Sequence, residues 1–469
     1  MSRTVRCIPG VAGLLACSLV LAGCVGGSGG GSEGAPGVGD PYFPKAGNGG
    51  YDVSHYGLTL AYDPGGGGRL TGSAVITARA TRDLSAFRLD FAGMDVAAVT
   101  VEGATAGFRR DGQELTVRPS DSLAEGETFE VAVRYSGSPR TITDPDGSKE
   151  GWLRTEDGAL ALGEPVGSMA WFPGDHHPSD KATYDIAVTV PEGLTAVSNG
   201  ELRSRRAAGG GRTTFSWRTA EPMASYLATV AIGVYTVTAS TTEDGLPVYV
   251  AVDPTQAAAG REVLARLPEV MEWAQDNFGP YPFSSAGAIV DRPEDAGYAL
   301  ETQNRPVYPG APDLPTLVHE TAHQWFGDSV TPKSWQDMWL NEGFATYAEW
   351  LWAEDEGGAT AEQTFTGLYD HGVERYANLW DFPPAKPTSA AQVSEAPVYQ
   401  RGAMVLHRIR QTVGDDAFYD IVQGWAAAHR HGNADTHAFT AYVEKAAPDA
   451  DFDDIWADWL YGKGKPELP

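Results

Sequence analysis

Between residues 51 and 235 the chain consists of short runs in which hydrophobic and polar residues alternate. Residues 56–62, 87–91 and 129–135 are three such runs, and the first ends at the turn residues Asp63, Pro64 and Gly65. Alternation places every second side chain on one face, as in a β-strand with one buried face. The many runs, with almost no helical periodicity, predict an all-β domain of sandwich or saddle type over residues 41–240.

The hydrophobic period changes after the polar stretch at residues 241–245. Hydrophobic side chains from Val263 to Phe278 recur every three or four residues, which predicts an amphipathic helix that ends at Gly279 and Pro280. Residues 286–290 predict a strand, and residues 298–303 predict a further extended segment. The second half of the chain, residues 246–469, is therefore predicted to be mainly helical with some strands.

The N-terminus has the pattern of a targeting segment. Arg3 and Arg6 precede an apolar run at residues 8–20, and small residues lead from there to Cys24. This resembles a bacterial lipoprotein signal, which implies that residues 1–23 are a signal peptide and that Cys24 carries a lipid. An ordinary secretory signal with an incidental cysteine is the alternative. In either case we expect an exported protein, and the first interpretation predicts an extracytoplasmic lipoprotein anchored to the cell membrane.

Residues 24–40 consist largely of Gly, Ser and other small residues, and they predict a flexible tether. No later apolar run approaches the roughly 18 residues that a spanning helix needs, so a lipid is the expected membrane attachment. After removal of the signal, Cys24 is the single cysteine, which excludes an internal disulfide.

Composition and charge narrow the class of protein. The 469 residues are 42% hydrophobic and 20% charged, which favours a folded protein of more than one domain. The 62 acidic and 34 basic side chains give a net charge of −28, and loss of Arg3 and Arg6 takes it to −30. Such a surface repels phosphates, so we expect no nucleic-acid partner.

The candidate chemistry lies in the second half, at His319-Glu320-Thr321-Ala322-His323. A helix is predicted over residues 313–327, and positions four apart face the same way on a helix. Both imidazoles can then bind one zinc ion while Glu320 faces a metal-bound water. The extended version of this motif is absent, because Phe326 and Ser329 stand where its glycine and third histidine would be.

A catalytic zinc site needs a third protein ligand. Asn341-Glu342-Gly343 follows eighteen residues after His323, within a second helical run at residues 339–352. That spacing allows an antiparallel return helix, which would bring Glu342 to the metal. The alternative is an incidental motif on a buried helix, but buried His and Glu side chains are costly without a partner.

Taken together, these motifs resemble the zinc aminopeptidase family that includes aminopeptidase N and the leukotriene hydrolases. The segments at residues 171–178, 181–182 and 399–403 also resemble parts of that family. The resemblance implies a β saddle domain at residues 41–240, followed by a thermolysin-like α/β catalytic domain at residues 246–469. It also implies one Zn²⁺ ion, bound by His319, His323 and Glu342.

The same resemblance assigns further roles. Glu320 is the expected general base, and Tyr399 is expected to hydrogen-bond the oxyanion. Glu301 is a candidate to hold the substrate amine, although its neighbours Tyr298-Ala299-Leu300 and Thr302 depart from the family's Gly-Ala-Met-Glu-Asn. Glu164 is an uncertain second amine contact. His176 and His177 are interpreted as part of a structural loop, because no acidic or cysteine ligands complete a metal site around them.

The sequence thus predicts a zinc aminopeptidase that acts on peptide substrates outside the cytoplasm, most simply as a monomer. Two alternatives stay open. A zinc endopeptidase would cleave N-blocked peptides at internal bonds. A non-catalytic, peptide-binding lipoprotein could share the fold, although the chain keeps all three ligands and Glu320.

Overall fold

The computed structural model describes residues 31–65 and 67–468. Cys24 and the predicted signal peptide lie outside these residues. Within the described part of the chain, no helix has the length and apolarity needed to cross a bilayer.

The first half of the described chain is β structure. Its strands are β1 (Ser32–Glu33), β2 (Tyr51–Asp63), β3 (Arg69–Ala80), β4 (Leu84–Asp90), β5 (Asp95–Val101), β6 (Ala104–Thr105), β7 (Gly107–Asp111), β8 (Glu114–Arg118), β9 (Thr128–Gly137), β10 (Thr141–Thr143), β11 (Lys149–Arg154), β12 (Ala159–Leu162), β13 (Lys181–Pro191), β14 (Thr195–Ser198), β15 (Glu201–Gly209), β16 (Arg212–Ala224) and β17 (Val230–Gly233). The predicted alternation is present in β2, where Tyr56, Leu58, Leu60 and Tyr62 are buried. The predicted β-rich first domain is confirmed.

These strands form three sheets. The largest has the order β15-β16-β13-β2-β3-β9-β5-β6, and it is antiparallel except for the parallel pair β13 and β2. A second sheet has the order β10-β11-β12-β17-β14, and a third has the order β1-β4-β8-β7. Buried aromatic rings pack between the sheets; Tyr62 of β2, for example, meets Trp152 of β11 edge to face with ring centroids 5.3 Å apart.

Residues 31–40 correct part of the predicted tether at residues 24–40, of which residues 24–30 lie outside the described part of the chain. From residue 31 the chain lies on the β domain, where β1 pairs in parallel with β4. Asp40 is buried, and its Oδ2 accepts hydrogen bonds at 2.9 Å from Ser334 Oγ and from the Trp335 backbone N–H. Backbone pairing and one buried carboxylate hold this segment, so it needs few apolar side chains of its own.

The boundary between the halves lies earlier in the chain than predicted. Strands β18 (Thr236–Thr241) and β19 (Pro247–Val252) pair as a hairpin, and the polar stretch at residues 241–245 includes its turn. β19 pairs in parallel with β20 (Ala286–Asp291), and β20 pairs in parallel with β21 (Val307–Pro309). The hairpin therefore belongs to the sheet of the second half. A polar turn inside a domain has the same composition as a boundary between domains.

The second half is otherwise helical. Its α-helices are α1 (Ala257–Leu264), α2 (Leu267–Phe278), α3 (Leu314–Ala322), α4 (Trp339–Asp355), α5 (Ala361–His371), α6 (Gly402–Val413), α7 (Asp415–Ala428) and α8 (Thr436–Ala446). Short 3₁₀ helices lie at Gly167–Ala170, Ser225–Leu227, Trp335–Asp337, Glu374–Tyr376 and Ala390–Gln392, and π-helical turns lie at Pro397–Arg401 and Ile455–Leu460. A small parallel pair joins β22 (Thr331–Pro332) to β23 (Asn433–Ala434). Helix α4 is buried along most of its length and forms the centre of this half.

Two predicted elements differ in detail. The predicted helix from Val263 to Phe278 is broken, because α1 ends at Leu264 and α2 begins at Leu267. In the predicted extended segment at residues 298–303, Leu300 alone makes a bridge, which is antiparallel to Val307. The predicted strand at residues 286–290 and the predicted helix at residues 339–352 are both present, as β20 and α4.

Candidate metal centre and peptide-binding cavity

Helix α3 presents the two histidines. Asp313 caps its N-terminus by accepting a hydrogen bond from the Thr316 N–H at 2.9 Å, and Leu317 and Val318 anchor its buried face. The helix ends at Ala322, earlier than predicted, but His323 keeps helical backbone angles. The two imidazole rings therefore lie on one face, with ring centroids 4.7 Å apart.

Helix α4 brings Glu342 to both rings. Glu342 Oε2 lies 3.3 Å from His319 Nε2 and 3.4 Å from His323 Nε2. One carboxylate oxygen thus faces two ring nitrogens, and the three side chains form a compact group of one O and two N donors. This is a donor set that zinc prefers, with three protein ligands and room for a fourth.

The other nitrogen of each ring is also held. The His319 Nδ1–H donates a hydrogen bond to Glu349 Oε1 at 2.7 Å, and the His323 Nδ1–H donates to the Phe326 carbonyl at 2.9 Å. These bonds leave both Nε2 atoms directed at Glu342 and available to a metal. Glu349 was missed in the sequence, although it lies seven residues after Glu342, which is two turns along the same helix face.

The charges of the cluster oppose the effect of burial on each group. Burial by itself lowers the pKa of His323, but the carboxylates of Glu301 and Glu342 outweigh it and raise this pKa to about 9. Burial raises the pKa of Glu342, but the His323 and His319 imidazoles outweigh it and lower this pKa to about 2. Positive charge is therefore favoured at this point, as a bound cation requires.

Glu320 lies on α3 between the two histidines and is buried. Its Oε2 has no hydrogen-bond partner among the described residues. Burial raises the pKa of this carboxyl to about 7, although His319 and His323 oppose the shift. An unpartnered buried oxygen beside a metal centre is suited to exchange a proton with a substrate or a water molecule.

Tyr399 lies on the other side of the cluster, in the π-helical turn Pro397–Arg401. Its ring is parallel to that of His319, at an interplanar angle of 11° and a centroid distance of 6.2 Å. Burial, followed by the charges of Glu342 and Glu164, raises the pKa of the phenol well above its usual value. Tyr399 therefore keeps its proton and can act as a hydrogen-bond donor.

The fold also brings Glu301 and Glu164 to this site. A carboxylate oxygen of each lies within 4.8 Å of the other and of Glu342. Glu301 is 2% exposed, and one oxygen of each side chain has no hydrogen-bond partner among the described residues. Two buried carboxyl groups, each with one oxygen that lacks a partner, are matched to a cationic ligand such as an ammonium group.

Two connected cavities open at the cluster. The first, of about 530 Å³, is lined by Glu164, Glu301 and the histidines, and the second has a volume of about 730 Å³. His319, Glu320, Ser394 and Tyr399 line both. A chain that extends from one cavity to the other would pass His319, Glu320 and Tyr399.

His176 and His177 lie elsewhere, at the junction between the two halves. His176 Nε2 contacts the Phe172 carbonyl at 3.0 Å, and His177 Nε2 contacts Asp40 Oδ2 at 3.3 Å. His177 Nδ1 also bonds to Ser179 Oγ at 2.7 Å. Both imidazoles thus contribute to packing at the junction.

Comparison with protein families and curated proteins is consistent with this geometry. Residues 53–227 match the Peptidase M1 N-terminal domain, and residues 313–459 match the Peptidase family M1 domain. Aminopeptidase M1 of Arabidopsis thaliana is 27% identical over 364 residues, which are 71% of this chain and 39% of that protein. A probable aminopeptidase 2 of Sulfurisphaera tokodaii is 25% identical and covers 81% of this chain and 50% of its own length. The chain thus spans half or less of these curated relatives.

Solved structures match nearly the whole fold. The M1 zinc metallopeptidase from Deinococcus radiodurans is 29% identical, with a TM-score of 0.83, and the match covers 92% of this chain and 98% of that one. A variant of that enzyme bound to the substrate Tyr-Ser-Ala matches with a TM-score of 0.84 at 29% identity, over 92% of this chain and 99% of that one. The two-domain architecture described above is therefore shared with these metallopeptidases.

Proposed function

The chain belongs to peptidase family M1, and from that premise we propose that it is a zinc-dependent aminopeptidase that removes N-terminal residues from peptides. One observation carries the proposal. The unpartnered carboxyl groups of Glu164 and Glu301 lie in the same cavity as the cluster of His319, His323 and Glu342. The cavity thus combines a metal centre with a place for a substrate ammonium group.

His319, His323 and Glu342 would hold the zinc ion. The fit rests on two ring nitrogens and one carboxylate oxygen that converge, and on the orientation that Glu349 and the Phe326 carbonyl impose on the rings. When bound, zinc supplies Lewis acidity, which polarises the scissile carbonyl and lowers the pKa of water.

The chain's own residues perform the remaining steps. The Glu320 carboxylate takes a proton from the attacking water and then passes a proton to the leaving amine. The Tyr399 O–H donates a hydrogen bond to the oxygen that becomes negatively charged. Both side chains line the two connected cavities, so both reach a peptide bond that lies over the cluster.

Recognition of the N-terminus distinguishes an aminopeptidase from an endopeptidase. A free ammonium group can donate charge-assisted hydrogen bonds to both Glu164 and Glu301, whereas an acetylated nitrogen carries no charge. Fixing that nitrogen places the first peptide bond, and no later one, over the metal centre. The second cavity is then available for the residues that follow the cleaved bond.

The test compares free and N-acetylated forms of the same peptides. We expect cleavage of the free forms at the first bond, loss of activity on chelation, recovery with zinc, and none of this activity in a Glu320→Gln protein. Efficient cleavage of acetylated peptides at internal bonds would favour the endopeptidase alternative. Zinc content without hydrolysis of any peptide, but with peptide binding, would favour a non-catalytic binding protein.

We also propose that a lipid on Cys24 anchors the protein to the cell membrane, facing away from the cytoplasm. The small residues before Cys24 and the preceding apolar run support this proposal. Cys24→Ser should release the protein from membranes and leave peptidase activity intact. Retention of that variant on washed membranes would contradict the proposal. Because every residue of the proposed chemistry belongs to one chain, we further propose a monomer, which sedimentation analysis would test.

A further inference from the structure

The cavity that contains Glu164 and Glu301 extends to the loop between β10 and β11, residues 144–148, and to Lys149 at the start of β11. Tyr298 connects the two regions. Its O–H donates a hydrogen bond to the Glu164 backbone carbonyl at 3.4 Å. Burial, followed by the charges of Glu150, Glu164 and Asp144, raises the pKa of this phenol well above its usual value. The phenol therefore contacts the proposed amine site, and it lines the same cavity as Asp144.

Asp144 is a buried carboxyl group in the wall of this cavity. It is 7% exposed, and its Oδ2 has no hydrogen-bond partner among the described residues. The neighbouring Glu150 is fully buried, and its Oε2 accepts hydrogen bonds from the backbone N–H groups of Val166, at 3.1 Å, and Gly167, at 2.7 Å. The backbone thus holds Glu150, and the Asp144 carboxyl, which lines the cavity, is hydrogen-bonded to that of Glu150.

No basic side chain compensates this pair. Among the residues that the structure describes, Lys149 is the only lysine in the cavity wall and no arginine lines it, and the Lys149 ammonium donates to Thr143 Oγ1 instead. Burial raises the pKa of Asp144 to about 6, although its hydrogen bond with Glu150 opposes the shift. A cation that enters the cavity would supply the positive charge that this pair of carboxyl groups lacks.

A metal ion fits this place less well than an organic cation. Among the described residues, the groups of His, Cys, Asp and Glu that could hold a metal all include Glu301 or Glu342, and none includes Asp144 or Glu150. A guanidinium or ammonium group needs fewer converging oxygens and carries its own hydrogen-bond donors.

We propose that Asp144 makes this cavity selective for peptides whose N-terminal residue is arginine or lysine. The inference rests on the proposed aminopeptidase function, because it takes the N-terminal nitrogen to be held by Glu164 and Glu301. The first side chain of the substrate then occupies the same cavity of about 530 Å³. A long side chain with a terminal positive charge meets Asp144, whereas a neutral chain of equal length leaves that carboxyl without a counter-charge.

The test uses the tripeptides Arg-Ala-Ala, Lys-Ala-Ala, norleucyl-Ala-Ala and Glu-Ala-Ala. We expect kcat/KM for the arginine and lysine peptides to exceed that for the norleucine peptide by about tenfold or more, as for a site built to bond a polar group. Asp144→Asn should reduce that ratio by about tenfold or more, because it removes the charge and keeps the shape. Hydrolysis of the norleucine peptide shows that each variant is folded and active.

Asp146→Asn is the matched control. Asp146 lies in the same loop but is exposed, and its Oδ1 accepts hydrogen bonds from Ser148 N, at 2.8 Å, and Ser148 Oγ, at 2.6 Å. This variant should leave the ratio between the arginine and norleucine peptides unchanged. A second readout needs no turnover: calorimetry on the Glu320→Gln protein should show tighter binding of L-arginine than of L-norleucine, and Asp144→Asn should abolish the difference.

Equal kcat/KM for the arginine and norleucine peptides would overturn the proposal, as would an unchanged ratio in Asp144→Asn. Equal losses in Asp144→Asn and Asp146→Asn would overturn the assignment to Asp144 and attribute selectivity to overall negative charge. A preference for Glu-Ala-Ala that depends on added Ca²⁺ would assign the carboxyl groups to a metal instead. If no free peptide is cleaved, the proposed function fails, and the calorimetry still decides whether Asp144 selects a cation.

Discussion

The Nδ1–H of His319 donates a hydrogen bond to Oε1 of Glu349 at 2.7 Å, and Glu349 lies two helical turns after Glu342. One helix, α4, therefore supplies a proposed zinc ligand and also orients a second ligand on α3. Glu342 is buried with most of α4, whereas the Glu349 side chain is 31% exposed and is held by its bond to His319. The rigidity of the centre depends on this helix as much as on the histidine motif.

Glu349→Gln is expected to weaken zinc binding by about 10-fold to 100-fold, as for other residues that orient a ligand. The amide can still accept a hydrogen bond, but it loses the charge that favours the correct orientation and basicity of the ring. Competition with a chelator measures the affinity. Glu356→Gln is the control, because it removes an exposed carboxylate that follows α4 and pairs with Arg266 at 2.9 Å. Equal zinc affinity in the two variants would contradict the role of Glu349.

The zinc ligands could be predicted from the sequence because each is fixed by local spacing. His319 and His323 are four residues apart, and the run at residues 339–352 predicted helix α4, which carries Glu342. Glu349 follows Glu342 by seven residues, so its place on the same helix face could be predicted. Its role could not, because it is one of many acidic residues and the sequence does not show that it contacts His319.

Other features depend on contacts between distant parts of the chain. Glu164 lies on the β domain, and only the packing of the two halves brings its carboxyl to Glu301 and Glu342. The sequence therefore left its role open. Residues 31–40 have few apolar side chains and were predicted to be a tether, but strand pairing and Asp40 hold them in place. Backbone hydrogen bonds of this kind do not depend on the side chains, so the hydrophobic pattern of the sequence does not predict them.

Tyr399→Phe should lower kcat by about 100-fold or more and leave zinc content and KM nearly unchanged. The ring can still stack on His319, so the variant removes a hydrogen-bond donor and little else. Steady-state kinetics with a free tripeptide and metal analysis test this. Tyr376→Phe is the control, since that tyrosine lines the second cavity and its oxygen accepts a hydrogen bond from Gln400 Nε2 at 3.3 Å. Equal rates for Tyr399→Phe and the parent would make Tyr399 a packing residue.

Glu164→Gln and Glu301→Gln are each expected to lower kcat/KM for free peptides by about tenfold or more, the size expected for a hydrogen bond to a charged group. Each variant keeps the shape of the side chain and removes half of the charge that faces the substrate ammonium. Zinc content should not change, because neither residue is one of the three proposed ligands. N-acetylated peptides should be poor substrates of the parent protein and of both variants. A normal rate for Glu164→Gln would place the second amine contact elsewhere.

Gly343→Ala is expected to destabilise the fold, although alanine is the better helix former by about 1 kcal/mol. A Cβ at residue 343 would lie 2.9 Å from the carbonyl carbon of Gly402 and 3.1 Å from its Cα. Both are backbone atoms, so α4 and α6 would have to separate, at a cost of about 1–3 kcal/mol. Urea denaturation measures the free energy of unfolding. Zinc binding should weaken as that free energy falls, because Glu342 directly precedes residue 343, where α4 meets α6.

Gly367→Ala is the control. In α5 its Cβ would meet nothing within 4 Å, so the free energy of unfolding should rise by up to about 1 kcal/mol. A Gly343→Ala protein that is as stable as its parent would mean that the two helices can shift apart without loss.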